Sequence, residues 1–300
     1  MLVRTEERTG HTAAIYDLQP APDGFYSVAA DGLIVRWHRA DADLGHAVAN
    51  VAGGKFLSLA TLADGGLVAG DLSGGVHWLY PDQPERNKHV AHHTRGVFAV
   101  LRLADAVYTA GGDGVLTRWD ATTGRTVESL PVSGNSLRCL ATYQQTGHRA
   151  LLVGASDGRA YLIPDDFTAI HPFAANEPSV FCIAPLHPTA ATHFVTGGRD
   201  ARLRFHELGF VKYPKLRTLD AHLATVNALA FSPDRRYLAT ASRDKTVKLW
   251  DARDWRLLKV CEVVRDRGHV NSVNCLLWLD DRTLLSAGDD RRILTWTLTV

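Results

Sequence analysis

The chain holds four cysteines among 300 residues and no C-x-x-C pair, which excludes a zinc ribbon or a disulfide framework and fits a reducing compartment. It also lacks an excess of one charge, because 33 Lys plus Arg face 32 Asp plus Glu. No global field therefore draws it onto nucleic acid or an anionic membrane, and either kind of binding would need a local patch. No stretch approaches the roughly 20 apolar residues that cross a bilayer. The opening Met1-Leu2-Val3-Arg4-Thr5-Glu6-Glu7 has no apolar signal-peptide core, so a cytoplasmic protein without a membrane partner is expected. Neither a P-loop nor a G-x-G-x-x-G occurs, which removes the usual phosphate cradles. No segment keeps a 3.6-residue apolar period long enough for a helix.

What the sequence does contain is a repeat of two short apolar runs around a tight Asp turn, usually closed by Trp. The first three copies run Ala30-Asp31-Gly32 to Trp37, Gly70-Asp71 to Trp78, and Gly112-Asp113-Gly114 to Trp119. Four more run Ser156-Asp157-Gly158 to Ile163, Arg199-Asp200 to His206, Arg243-Asp244 to Trp250, and Asp289-Asp290 to Trp296. The closing residues lie at 37, 78, 119, 163, 206, 250 and 296, and the turn Asp precedes the closing residue by six positions in six copies. In the second it precedes by seven, which reads as one extra residue at Leu72-Ser73-Gly74. The runs are Val-, Leu-, Ile- and Thr-rich and bounded by Asp-Gly, Gly-Gly or Pro-Asp, the pattern of strands joined by hairpins. Four strands of about five residues, with short connections, make a unit the size of a propeller blade. Seven such units account for residues 1–300, with no second domain expected.

These residues resemble the WD-repeat (tryptophan-aspartate) family of β-propellers across residues 2–300. The sixth copy matches best, with Ala221-His222, then Ser232-Pro233-Asp234, Asp244 and Trp250-Asp251. Trp-Asp itself survives only there and at Trp119-Asp120. The resemblance implies an all-β, seven-bladed propeller of four-stranded antiparallel blades. A ring with an open sheet edge is unfavourable, so the N-terminal segment Leu2-Val3-Arg4-Thr5 is expected to supply the outer strand of the last blade. The family also carries a His four residues before a β-branched residue, here His11, His93, His222 and His269. The resemblance places each in a buried network with the turn Asp and Trp: His11, Asp31 and Trp37; His93, Asp113 and Trp119; His222, Asp244 and Trp250; His269, Asp290 and Trp296. An indole N–H can only donate, and leaving it buried without a partner costs about 1–3 kcal/mol. Copies 2, 4 and 5 lack the His and are expected to rely on apolar packing.

Candidate chemistry is thin. Gly154-Ala155-Ser156-Asp157-Gly158 matches G-x-S-x-G literally, but that nucleophile motif works only at a strand-to-helix turn, and here it falls on a repeat hairpin. His77, His89, His92 and His93 form the densest histidine group, yet their spacing is not H-E-x-x-H. No metal site, cofactor or catalytic residue is expected. Cys139, Cys182 and Cys275 share one slot that other copies fill with Ser58, Ala99 and Ala228, which points to packing. Asp17 is the one charged residue in that slot.

The expected function is a non-enzymatic scaffold that binds a protein or peptide on one propeller face, as a monomer or as a subunit of a hetero-complex. The resemblance assigns that face to residues flanking the β-branched landmark and preceding the turn Asp. Those after the landmark are Tyr16, Leu57, Phe98, Arg138, Phe181, Asn227 and Asn274. Those before the Asp are Ala30, Gly70, Gly112, Ser156, Arg199, Arg243 and Asp289. Aromatic residues beside Arg are common interface anchors. Two alternatives are a propeller enzyme or small-ligand binder at the channel, built on Asp17 and Arg138, and a nucleic-acid-associated subunit using Arg138, Arg199 and Arg243. The balanced net charge argues against the last.

Overall fold

The computed structural model describes residues 1–39, 41, 45–145, 148–186, 193–207 and 215–299. Seven four-stranded antiparallel sheets follow one another around a ring. Their innermost strands are Ile15–Ala21, Phe56–Thr61, Val97–Leu103, Leu137–Gln145, Val180–Pro185, Val226–Phe231 and Val273–Trp278. Each touches the innermost strand of the next blade, and the last touches the first. The ring closes as the sequence implied. Leu2–Arg8 lies antiparallel on Ile293–Leu298 as the outer strand of blade 7, from Leu2 opposite Leu298 to Arg8 opposite Ile293.

Strands form here because both faces of every blade are buried against a neighbour, which favours near-continuous β-branched and aliphatic runs. The core is accordingly divided into seven apolar clusters, one at each blade junction. Trp37, Phe25 and Ile15 of blade 1 meet Cys275, Leu285 and Ile293 of blade 7. Trp119 of blade 3 packs with Val68, Val76 and Trp78 of blade 2. Leu2 joins the junction between blades 6 and 7 beside Trp296. The Asp turns need a left-handed residue just after the Asp. Gly32, Gly114 and Gly158 supply it at φ of 79°, 81° and 80°, whereas Ala201, Lys245 and Arg291 adopt the same region with a side chain.

Blade 2 departs from the register read from the sequence. Leu67 pairs with Leu79 and Gly70 with Val76, where blade 1 pairs Phe25 with Trp37 and Val28 with Ile34. The hydrogen bond from Gly74 N to Asp71 O matches that from Gly32 N to Ala29 O. Leu79, not Trp78, is therefore the equivalent of Trp37, Ser73 takes the turn-Asp position, and the turn carries no extra residue. Successive strand residues face opposite sides, so Leu79 packs toward blade 1 and Trp78 toward blade 3.

Candidate functional site

Four blades hold a complete polar chain. In blade 1 Trp37 Nε1 donates to Ser27 Oγ at 2.8 Å, and His11 bonds Ser27 Oγ at 2.7 Å through Nε2 and Asp31 at 2.9 Å through Nδ1. The same chain runs Trp119, Thr109, His93, Asp113 in blade 3. It runs Trp250, Thr240, His222, Asp244 in blade 6 and Trp296, Ser286, His269, Asp290 in blade 7. Burial opposes ionisation of Asp31, but the Thr12 N–H and His11 outweigh it and hold the carboxyl below its usual range. Burial likewise lowers the pKa of His11, His93 and His222 despite their Asp partners. These imidazoles tie the loop entering each blade to the Asp turn and hold the loops of one face in place.

Blades 2, 4 and 5, expected to be held mainly by apolar packing, carry polar contacts as well. In blade 4 Ser133 occupies the His position, and its hydroxyl donates to Asp157 at 2.8 Å, joined there by Tyr161. In blade 5 Asn176 occupies it and donates to Asp200 Oδ1 at 2.9 Å, while Arg204 pairs with the other oxygen. His206 replaces the indole and bonds Thr196 Oγ1 at 3.1 Å. Blade 2 has Ala52 at the His position and Ser73 at the Asp position. Its polar pair lies elsewhere, between Asp71 Oδ2 and His77 Nε2 at 2.8 Å.

The face bearing these loops surrounds the channel mouth, a cavity of about 630 Å³ lined by Tyr16, Leu57, Phe98, Arg138, Phe181, Asn227 and Asn274. Arg138 is its cationic centre. Its guanidinium carbon lies 4.2 Å from the Phe98 ring centroid and 5.5 Å from that of Phe181. Its Nε donates to Ser156 Oγ at 2.8 Å, and among the described residues no carboxylate lies within ion-pair distance of it. An arginine held between two rings, whose terminal nitrogens bond none of the described residues, is preorganised for an anionic group.

Asn227 and Asn274 are partly committed to the ring itself. Asn227 Nδ2 donates to Ser272 Oγ and Val273 O at 2.9 Å, and Asn274 Nδ2 donates to Ile15 O at 3.0 Å and Asp289 Oδ1 at 2.7 Å. They staple blade 6 to blade 7 and blade 7 to blade 1. Arg199, Arg243 and Asp289 are exposed on the turns of the same face, outside the cavity lining.

Gly70 belongs to the buried strand Leu67–Asp71. Through the corrected register its place on the face passes to Leu72, which is 47% exposed and lines the cavity. Leu223 and Val270 also stand out on this face, each one residue after a network His and 94% and 47% exposed. Their position directly after the His was the signal available in the sequence.

Asp17 lines the cavity, but its carboxylate accepts from Leu18 N at 2.8 Å, Leu59 N at 2.9 Å and Gln19. Burial raises its pKa to about 6. No ion pair joins it to Arg138 among the described residues. Burial pushes the Cys139 thiol up to about 12 and those of Cys182 and Cys275 well above the usual value, which leaves little nucleophilic thiolate. Ser156 sits in a turn between two strands, without the helix that a nucleophile elbow requires.

A family model described as "WD domain, G-beta repeat" matches residues 213–251 and 260–297. Among curated proteins, THO complex subunit 3 of Arabidopsis thaliana is 31% identical over 162 residues, covering 52% of this chain and 47% of that protein. The target of rapamycin complex subunit wat1 of Schizosaccharomyces pombe is 30% identical over 118 residues, covering 39% and 34% respectively. Mouse WD repeat-containing protein 1 is 26% identical over 254 residues, covering 78% and 40%. The chain thus spans less than half the length of these curated relatives. The crystal structure of the WD40 β-propeller domain of Doa1 superposes with a TM-score of 0.85 at 16% identity, covering 100% of this chain and 97% of that one.

Proposed function

Because the chain belongs to the WD-repeat family of β-propellers, we propose that it is a non-enzymatic scaffold that binds a protein through the channel mouth. The carrying observation is Arg138 between Phe98 and Phe181, 4.2 and 5.5 Å from their centroids, in the lining of a cavity that also exposes Tyr16 and Leu72. A carboxylate of a partner segment would bond the free guanidinium nitrogens, with an apolar side chain beside it over the rings. Two of the similar proteins are complex subunits by name, which supports a role in assembly. The rigid closed ring supports it too, since loops fixed by buried networks offer a preorganised surface.

The test compares affinity capture from native cells by the wild-type chain and by a Phe98→Ala, Arg138→Glu, Phe181→Ala variant, with cross-links mapped onto the bait. Loss of specific proteins from the variant, and cross-links at the channel mouth in the wild type, are expected. Equal retrieval by both would remove this face from the proposal.

A further inference from the structure

The histidine group that sequence spacing set aside is split by the fold. His92 and His93 serve blade 3, where His92 Nε2 contacts Thr117 and Ser129 and His93 holds Asp113. His77 and His89 are instead direct cross-strand partners in blade 2, with ring centroids 4.5 Å apart. Asp71 joins them from the end of the neighbouring strand. One ligand atom from each of Asp71, His77 and His89 lies within 4.8 Å of the other two. Asp71 and His77 are buried, and His89 is exposed at the open side.

A second observation concerns Gly75. The other six blades carry a side chain at this position, namely Leu33, Val115, Arg159, Arg202, Thr246 and Arg292. A Cβ at Gly75 would stand 2.5 Å from Asp71 Oδ2 and 2.5 Å from His89 Nε2. The missing side chain is what lets the carboxylate and the exposed imidazole converge. This is also the blade that has lost both the His and the Asp of the repeat network, so the Asp71–His77 pair is not one of its copies.

We propose that Asp71, His77 and His89 form a binding site for a divalent transition-metal ion, with Zn²⁺ the best fit. Two borderline imidazole nitrogens beside one hard carboxylate oxygen make a donor set that suits Zn²⁺, while the nitrogen majority disfavours Mg²⁺ and Ca²⁺, which need oxygen shells. Three protein ligands leave one tetrahedral position for water on the exposed side. Asp71 Oδ1 accepts from Ser73 N and Gly75 N at 2.8 Å each, which fixes the carboxylate and leaves Oδ2 for the ion. Metal binding moves the His77 proton from Nε2, where it is shared with Asp71, to Nδ1, so that the Nε2 lone pair faces the site.

The test uses the full chain stripped with a chelator and titrated with Zn²⁺ by calorimetry and thermal melting. Co²⁺ serves as a spectroscopic probe and Mg²⁺ as a control. The wild type is expected to bind about one equivalent of Zn²⁺, to melt several degrees higher with it, and to ignore Mg²⁺. His89→Ala removes only an exposed side chain, so it should melt like the wild type without metal and bind Zn²⁺ at least about tenfold more weakly. Gly75→Ala should lose the Co²⁺ absorption bands. His46→Ala, which alters the His38–His46 contact of blade 1, should retain wild-type binding. The site is refuted if the wild type takes up no Zn²⁺ at micromolar concentration, or if His89→Ala keeps wild-type affinity, or if His46→Ala loses it instead.

Discussion

Trp78 and Trp119 pack against each other at 6.4 Å between ring centroids, yet only one indole is hydrogen-bonded. Trp119 Nε1 donates to Thr109 Oγ1 at 2.9 Å, whereas Trp78 Nε1 is buried without a partner among the described residues. Trp→Phe at either site removes similar volume from one cluster. At Trp119 it also breaks the Thr109 chain, while at Trp78 it relieves an unsatisfied donor worth about 1–3 kcal/mol. Trp78→Phe should therefore be less destabilising than Trp119→Phe by at least ~1 kcal/mol in urea unfolding. Equal losses would mean that the Trp78 indole finds a partner in solution.

The same pair marks where the sequence was legible and where it was not. Asp31, Asp113, Asp244 and Asp290 could be placed in advance because each lies six residues before its Trp and the family resemblance supplies the His partner. Blade 2 misled because Trp is conspicuous and strand register is not. A shift of one residue exchanges the two faces of a strand, so taking Trp78 for the marker displaced Leu72 from the face and put Asp71 at the wrong turn position. Ser133, Asn176 and His206 went unread as network members because each substitutes for a residue of different type. The shared quantity is a hydrogen bond, which leaves no single-letter signature. The channel mouth was legible in position but not in use, since only coordinates reveal that Asn227 and Asn274 bond the neighbouring blade.

Ring closure should be measurable at Leu2. This side chain is 1% exposed and lies in the cluster with Trp296 and Leu294, while its strand caps the edge of Ile293–Leu298. Leu2→Ala should cost about 2–5 kcal/mol, the range for a buried Leu cavity. Deleting residues 1–8 should lower the melting temperature much further, because it also uncovers a sheet edge beside a buried Trp. An unchanged melting temperature in the deletion variant would contradict closure by this strand.

The left-handed turn residues give a test with opposite signs. Gly114 has φ of 81°, and an added Cβ would approach Ser133 O to 1.8 Å. Lys245 occupies the equivalent position at φ 75° with an exposed side chain. A non-glycine residue there pays roughly 1 kcal/mol or more in steric strain. Lys245→Gly should stabilise the protein by up to about 1 kcal/mol, and Gly114→Ala should destabilise it by more than that. The signs can be read from paired denaturant midpoints, and a destabilising Lys245→Gly would show that its side chain makes contacts worth more than the strain.

Acid sensitivity follows from the buried imidazoles. Burial lowers the folded-state pKa of His11, His77, His93 and His222, while the unfolded chain titrates near 6.5. Between the folded values and 6.5 the unfolded state binds more protons, so stability is complete above about pH 6.5 and declines as pH falls through that window. Asp17 acts in the opposite sense. Its folded pKa of about 6 exceeds the unfolded value, so its protonation favours the fold as pH falls from about 6 toward 4. The four histidines act in the same sense, so the melting temperature should fall as pH drops from about 6.5, with protonation of Asp17 offsetting part of the loss. A second loss should follow below about pH 4, where the aspartates of the unfolded chain take up protons while Asp31, Asp71 and Asp113, all held low against burial by hydrogen-bond donors, stay ionised in the fold until lower pH. His222→Gln should lower stability at pH 7 but flatten the decline between pH 7 and 5, because one titrating group is gone. A decline of the same slope in that variant would assign the acid response to groups outside the blade networks.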